Sequence, residues 1–297
     1  MSNEAYQSYL FIINVLSGNN KNRETLARII QEEFIDAEVF LIKSKSDFET
    51  AIQKCRQDKF KYVIVNGGDG TINTFIQYII PNNKVLGILP SGSGNGLART
   101  LGISLNTIEA LKMIKKCNIQ EVDVGKINDR YFACAIGFGI DAAIAKTFET
   151  QKLRGLLGYI LASVKTFLQY RALRFTLNSA NQQLKEARAF ILSVLNIPQY
   201  GNDFYLAPSA KINDGLLNTV YLGKISFLKY PYVMWNLLRK KEKHPIVYTT
   251  QQNLTIEILS EKFVYHIDGE PIEVESADRE STAFNITVIN KKLKIIV

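Results

Sequence analysis

Two short stretches carry residues whose types and spacing could do chemistry. The first is Gly67-Gly68-Asp69-Gly70-Thr71, which follows the apolar run Tyr62 to Val65 and precedes a stretch with helical spacing through Ile72, Phe75, Ile76 and Ile79. A buried strand, a glycine turn and a helix start make an anion site, because free backbone N–H groups and the helix dipole both favour negative charge there. Glycines let the backbone approach closely and take positive φ. The carboxylate of Asp69 is unusual in such a turn. It needs a metal to hold or a proton to remove, unless it only caps the helix. The second stretch is Pro90-Ser91-Gly92-Ser93-Gly94-Asn95, at the end of the apolar run Val85 to Leu89. Its small polar residues suit a phosphate contact through N–H and hydroxyl groups, or a flexible surface connection. Neither stretch has the lysine and spacing of a Walker loop or the Gly-x-Gly-x-x-Gly of a dinucleotide fold.

The elements around these loops alternate. Tyr9 to Val15 reads as a strand, 22–34 as a helix, Ala37 to Ile42 as a strand and Asp47 to Cys55 as a helix. The Tyr62 strand and its helix, stopped at Pro81, come third; the Val85 strand and a helix from Thr107 to Lys116 come fourth. This βα rhythm predicts an α/β domain with a doubly wound parallel sheet, whose ligands sit at the carboxyl ends of the strands. The loops after strands one, three and four are rich in Gly, Ser and Asn, so one crevice would collect all three. After about residue 120 the rhythm changes to strand-like runs at 119–125, 130–136, 173–178, 187–197, 216–222, 254–259, 263–267 and 284–296, with helical segments near 155–170 and 226–241. The expectation is a nucleotide-binding domain over 1–125 and a β-rich sandwich domain over 126–297, with the last strand, Lys291 to Val297, free to return to either.

The chain has 297 residues, of which 46% are hydrophobic and 22% charged, as in a globular protein of one large or two smaller domains. No apolar run is long enough for a membrane span, and the polar start lacks a signal-peptide pattern, so a cytoplasmic location is expected. Three scattered cysteines (Cys55, Cys117, Cys134) fit reduced thiols, and two histidines give a zinc site little to draw on. The net charge of +8 favours anionic partners, which include nucleotides, nucleic acid and acidic membrane surfaces.

The pair of glycine loops resembles the diacylglycerol kinase catalytic-domain family, which includes bacterial lipid kinases and sphingosine kinases. The first motif is shared with the wider NAD kinase and phosphofructokinase group; the second, Leu89 to Asn95, narrows the match. Asn14 to Gly18 is similar to the family's first nucleotide motif, with Val15 in place of Pro, and Asp123-Val124-Gly125 to its Asp-Val-Gly segment. Gly137 to Asp141, Lys152 to Tyr159, Lys211 to Gly215 and Asp268-Gly269-Glu270 fall where the family has related segments. There are departures. Gly96 stands where bacterial members usually have a second Asp, which is closer to the sphingosine kinase form, and Asn213 stands before Asp214 where they often have two Asp.

The resemblance implies ATP-dependent phosphorylation of a lipid hydroxyl, such as that of diacylglycerol or a sphingoid base, with Mg²⁺ as the cation. A kinase of a soluble substrate in the NAD kinase manner and a non-catalytic relative are the alternatives. By analogy Asp69 is the base that accepts the hydroxyl proton. Gly67, Gly68, Gly70, Thr71, Ser91, Gly92, Ser93, Gly94 and Asn95 would cradle phosphates and ribose, with Asn14 near the base or ribose. Arg154 would take the transferring phosphate, or is a solvated arginine at a helix start. Asp268 and Glu270 would contact Mg²⁺ or nucleotide, or form a hairpin turn. Asp214 would serve a structural metal, or a turn before Leu216. Asp141 would meet the lipid headgroup, or cap a helix. Residues 226–244 set Tyr230, Tyr232 and Trp235 beside Arg239-Lys240-Lys241. That pattern suits peripheral contact with an anionic membrane surface, or a core helix with a solvated basic end. Lipid is the expected partner and nucleic acid is not; the oligomeric state is open, with a homodimer compatible.

Overall fold

The computed structural model describes residues 8–16, 23–140, 172–180, 182–199, 205–223, 246–275 and 281–297, with short pieces at 142–143, 146–147, 166, 170, 232–233, 235–236 and 239–242. It divides into two compact units, Met1–Asp123 with Lys291–Val297, and Val124–Asn290.

The first unit begins β1 (Tyr9–Asn14), α1 (Arg23–Glu33), β2 (Glu38–Ile42), α2 (Asp47–Arg56), β3 (Tyr62–Gly67), α3 (Asp69–Ile79) and β4 (Val85–Pro90). A five-residue α4 (Gly96–Thr100) and α5 (Thr107–Lys116) follow. The strands pair in parallel in the order β2-β1-β3-β4. All six residues of β3 and all six of β4 are buried, as expected of strands covered on both faces. Each fully buried Ile, Val or Leu there contributes about 1.5–3 kcal/mol of apolar transfer. The helices bury one stripe each: Ala51, Ile52 and Cys55 on α2, and Ile72, Phe75, Ile76 and Ile79 on α3. The order reverses at β1, which lies between β2 and β3, so the loops after β1 and β3 leave side by side at the switch point.

The second unit takes in the end of β5 (Ile119–Ile127), then β6 (Arg130–Phe132), β7 (Ala135–Gly137), β8 (Leu173–Ser179), β9 (Gln183–Ala189), β10 (Ile191–Leu195) and β11 (Leu217–Leu222). It continues with β12 (Ile246–Gln251), β13 (Asn253–Ile258), β14 (Lys262–Ile267), β15 (Glu270–Glu275) and the first part of β16 (Thr282–Ile296). One sheet runs β12-β11-β10-β7-β14-β15, and β16-β13-β8-β9 forms a second antiparallel layer. Phe138, Phe175, Leu192, Ile256 and Phe284 fill the core they share. The far end of β16 belongs to the first unit, where Lys294 and Ile295 pair in parallel with Val85 and Leu86 of β4.

Two expected strands are split, for local reasons. The run 130–136 breaks at Ala133 and Cys134, whose N–H groups turn to the carboxylate of Asp268 instead of continuing a ladder. The run 187–197 breaks at Phe190, because β9 and β10 lie in different sheets and the chain crosses between them there. The strand at Ile246–Gln251 was not expected, since its polar residues hide the alternation. The helical segments expected near 155–170 and 226–241 fall largely outside the described residues.

Candidate active site

The carboxyl ends of β1, β3 and β4 meet through polar side chains that leave the sheet at its last residues. Asn14, at the end of β1, donates its amide to Thr71 Oγ1 at 3.0 Å, and its carbonyl accepts the Leu16 N–H at 3.0 Å. Asn66, one residue before the end of β3, donates to the Leu89 carbonyl at 2.8 Å and accepts from the guanidinium of the buried Arg23. These contacts tie α1, β1, β3 and β4 together just below the loops.

The two glycine loops are packed backbone on backbone. The Ser91 N–H donates to the Gly67 carbonyl at 3.0 Å. A Cβ added at Gly92 would lie 2.6 Å from the Gly68 Cα, and one added at Gly67 would lie 2.5 Å from the Thr71 side chain. Both glycines are therefore demanded by space, not by φ. Asn95 holds the second loop closed. It sits in the left-handed region at φ 50°, accepts the Gly92 N–H at 2.9 Å and donates to the Gly92 carbonyl at 2.8 Å. The exposed Ser93 and the half-buried Ser91 complete the loop, and the Ser91 hydroxyl oxygen is buried with no protein partner among the described residues.

Asp69 sits where the loops join. It opens α3, yet its carboxylate serves the other loop: Oδ2 accepts the Gly96 N–H at 3.0 Å and Oδ1 the Leu97 N–H at 3.3 Å. It thus caps α4, not the helix it begins. Burial pushes its pKa above the ordinary aspartate value, and hydrogen bonds from Gly96, Leu97, Asp69 and Asn95 N–H groups pull the other way. A half-buried carboxylate beside orphan helix N–H groups and an unpartnered hydroxyl can orient an alcohol and take its proton while the backbone receives phosphate.

Asn14, Gly67, Gly68, Asp69, Gly70, Thr71, Ser91, Gly92, Ser93, Gly94 and Asn95 all belong to this first unit. Asn14, Thr71 and Asn95 are buried, and their side chains hold the loops. Asp268, Glu270 and Asp214 belong to the second unit. Asp268 was expected to contact a cation or nucleotide, or to form a hairpin turn. It is buried, and its two oxygens accept the N–H groups of Ala133, Cys134 and Ala135, each at 2.8 Å. Asp214 is exposed and accepts the Leu216 N–H at 3.0 Å, an Asx turn of the kind weighed from the sequence. Glu270 is exposed at the first residue of β15. Among the described residues no three His, Cys, Asp or Glu gather as a metal site. Asp141 and Arg154 lie outside the described residues. Sequence reasoning missed Arg23, Asn66 and the N–H groups of Gly96 and Leu97. A polar Asn ending a fully apolar strand was the signal available for Asn66.

A family profile for the diacylglycerol kinase catalytic domain matches residues 8–127, and one for the YegS C-terminal NAD kinase beta sandwich-like domain matches residues 134–293. The chain belongs to the diacylglycerol kinase catalytic-domain family. A diacylglycerol kinase of Bacillus subtilis (strain 168) is 27% identical over 273 residues, 87% of this chain and 88% of that one. The crystal structure of a diacylglycerol kinase from Bacillus anthracis str. Sterne superposes with a TM-score of 0.72 at 21% identity, over 98% of this chain and 96% of that one. An NAD kinase from Archaeoglobus fulgidus in complex with ATP shares the fold, with a TM-score of 0.52 at 12% identity over 97% and 93% of the two chains. The expected α/β domain followed by a β sandwich is therefore the fold of this kinase family. No helix among the described residues is long and apolar enough to cross a membrane.

Proposed function

We propose that this kinase-family protein transfers the γ-phosphoryl group of ATP to the hydroxyl of a lipid alcohol. The observation that carries the reading is the position of Asp69, a carboxylate held by N–H groups of the second loop at the mouth of an anion-binding turn. The hydroxyl proton goes to Asp69 as the oxygen bonds to the γ-phosphorus. The bond from that phosphorus to the β–γ bridging oxygen breaks, and ADP leaves. The transition state is loose, so the protein mainly positions groups and neutralises charge. The N–H groups opening α3, the Ser91 hydroxyl and the backbone of Ser91–Gly94 supply that positioning. The lipid acceptor is supported by the diacylglycerol kinase of Bacillus subtilis, which matches along nearly the whole chain. A lipid acceptor lies in a bilayer, so the protein works at a membrane surface. Glu270 and Arg154 remain candidates for nucleotide contact, and Asp141 for the lipid headgroup.

The test is transfer of labelled phosphate from ATP, with Mg²⁺ present, onto diacylglycerol, sphingoid bases and related lipid alcohols. One of these is expected to give a labelled product, and Asp69→Asn is expected to lower its rate about 10²–10⁴-fold. No labelled lipid across the panel, or an undiminished rate in the variant, would overturn the reading.

A further inference from the structure

Tyr232 and Trp235 are among the most exposed large hydrophobic side chains of the described residues, at 51% and 57%. They stand three apart on a helical piece whose other described residues, Val233 and Asn236, are buried at 4% and 7%. Arg239 lies four further on, and its N–H donates to the Trp235 carbonyl at 3.1 Å. One face, i, i+3 and i+7, thus presents two aromatic rings and a guanidinium outward.

Cations lie against aromatic rings at this end of the helical piece. The Arg239 guanidinium lies 4.6 Å from the centre of the Trp235 ring, and the Lys240 ammonium 4.0 Å from that of Tyr205. Lys240 takes φ 56° and Lys241 donates its N–H to the Asn236 carbonyl, so the helix end is fixed where the cations emerge. The one acid nearby in sequence, the exposed Glu242, accepts the Ser209 N–H at 2.8 Å. Exposed Arg239, Lys240 and Lys241 therefore border exposed aromatic surface.

We propose that the face formed by Tyr232, Trp235 and Arg239–Lys241 docks on the surface of an anionic bilayer. Amphipathic aromatic rings partition into the headgroup region, where one end is apolar and the other wet. Cations just beside them meet lipid phosphates, and each Lys or Arg near such a surface strengthens binding about fivefold. The occupant is a lipid surface because rings and cations share one face, and because the net charge of +8 complements an acidic membrane. The choice of a bilayer over another acidic partner rests on the lipid-kinase reading above, while the measurement below needs no catalysis.

Trp235 is the only tryptophan in the chain, so its fluorescence reports on this face alone. The full-length protein is titrated with vesicles of phosphatidylglycerol and phosphatidylcholine at 1:1, and with pure phosphatidylcholine. A blue shift is expected with the anionic vesicles, weakening as salt rises. Replacing Arg239, Lys240 and Lys241 together by Ala keeps the reporter and is expected to weaken partitioning on the order of 100-fold. Tyr232→Ala, followed by both fluorescence and co-sedimentation, is expected to weaken it several-fold; circular dichroism checks that each variant is folded. An unshifted spectrum with anionic vesicles, or equal binding by the triple variant, overturns the proposal. So does a spectrum already blue-shifted in the free protein together with a dimer that Trp235→Ala dissociates, which would make the face a contact between copies. Vesicle binding without kinase activity would sink only the kinase reading. Activity on detergent-dispersed lipid without vesicle binding would sink only the docking face.

Discussion

Gly92→Ala tests the loop packing most directly. The added Cβ would lie 2.6 Å from the Gly68 Cα and 3.0 Å from Asn95 Oδ1. The nearer obstacle is backbone, so no side chain can swing aside. Restoring a carbon–carbon contact of ~3.5 Å requires the loops to part by about 0.9 Å. A displacement of that size in a positioning element lowers the rate on the order of 100-fold. The matched control is Gly68→Ala. Its Cβ would lie 3.1 Å from the Gly92 Cα, and the loops would need to give by only about 0.4 Å. That variant is expected to lose less than about tenfold, since a smaller displacement leaves the groups nearer their working geometry. Overpacking by one methyl destabilises by about 1–3 kcal/mol, which a folded domain survives. Initial rates of phosphate transfer at varied ATP, with thermal melts to confirm folding, separate the two variants. If Gly92→Ala keeps its kcat and its KM for ATP, or if Gly68→Ala is the more damaged, the loops do not form the working cradle.

Two further outcomes follow from particular groups. Asp69 must be ionised to accept a proton, and burial raises its pKa, so activity is lost as pH falls through a value above the ordinary aspartate pKa of about 3.9; a kcat/KM profile still flat at about pH 4 would contradict this. Asp268→Ala leaves three buried N–H groups without their acceptor and is expected to destabilise the second unit by about 3 kcal/mol or more. Urea unfolding measures that change, and a shift below about 1 kcal/mol would mean those groups find other partners.

The parallel half of the fold was plainly written in the chain. Periodicity placed β3, α3, β4 and α5 within a few residues, because strands covered on both faces become unbroken apolar runs and amphipathic helices repeat their stripe. The glycine loops were legible as an anion site for the same reason: their composition fits neither core nor helix. What the chain did not reveal was which polar groups face one another. Asp69 reads as a cap of its own helix until the fold brings Gly96 and Leu97 to it across 27 and 28 positions. Asp268 reads as a hairpin turn or a cation ligand, and only the fold brings it to Ala133, Cys134 and Ala135. Strand boundaries in the sandwich failed at Cys134 and Phe190 because an acceptor and a change of sheet, neither local in sequence, decide them.

The return of β16 makes the first unit an interrupted fold. Its two ends are joined by the Lys291 N–H, which donates to Asp123 Oδ1 at 2.7 Å although the residues are 168 positions apart. A fragment ending at Asp123 would lack the strand that pairs with Val85 and Leu86, and would leave that edge of β4 open to pairing with other chains. During synthesis the same edge waits until the whole second unit has been made. The glycine loops therefore sit on a sheet that is finished late, and any attempt to isolate the first unit should reconnect Asp123 to Lys291 instead of stopping at either.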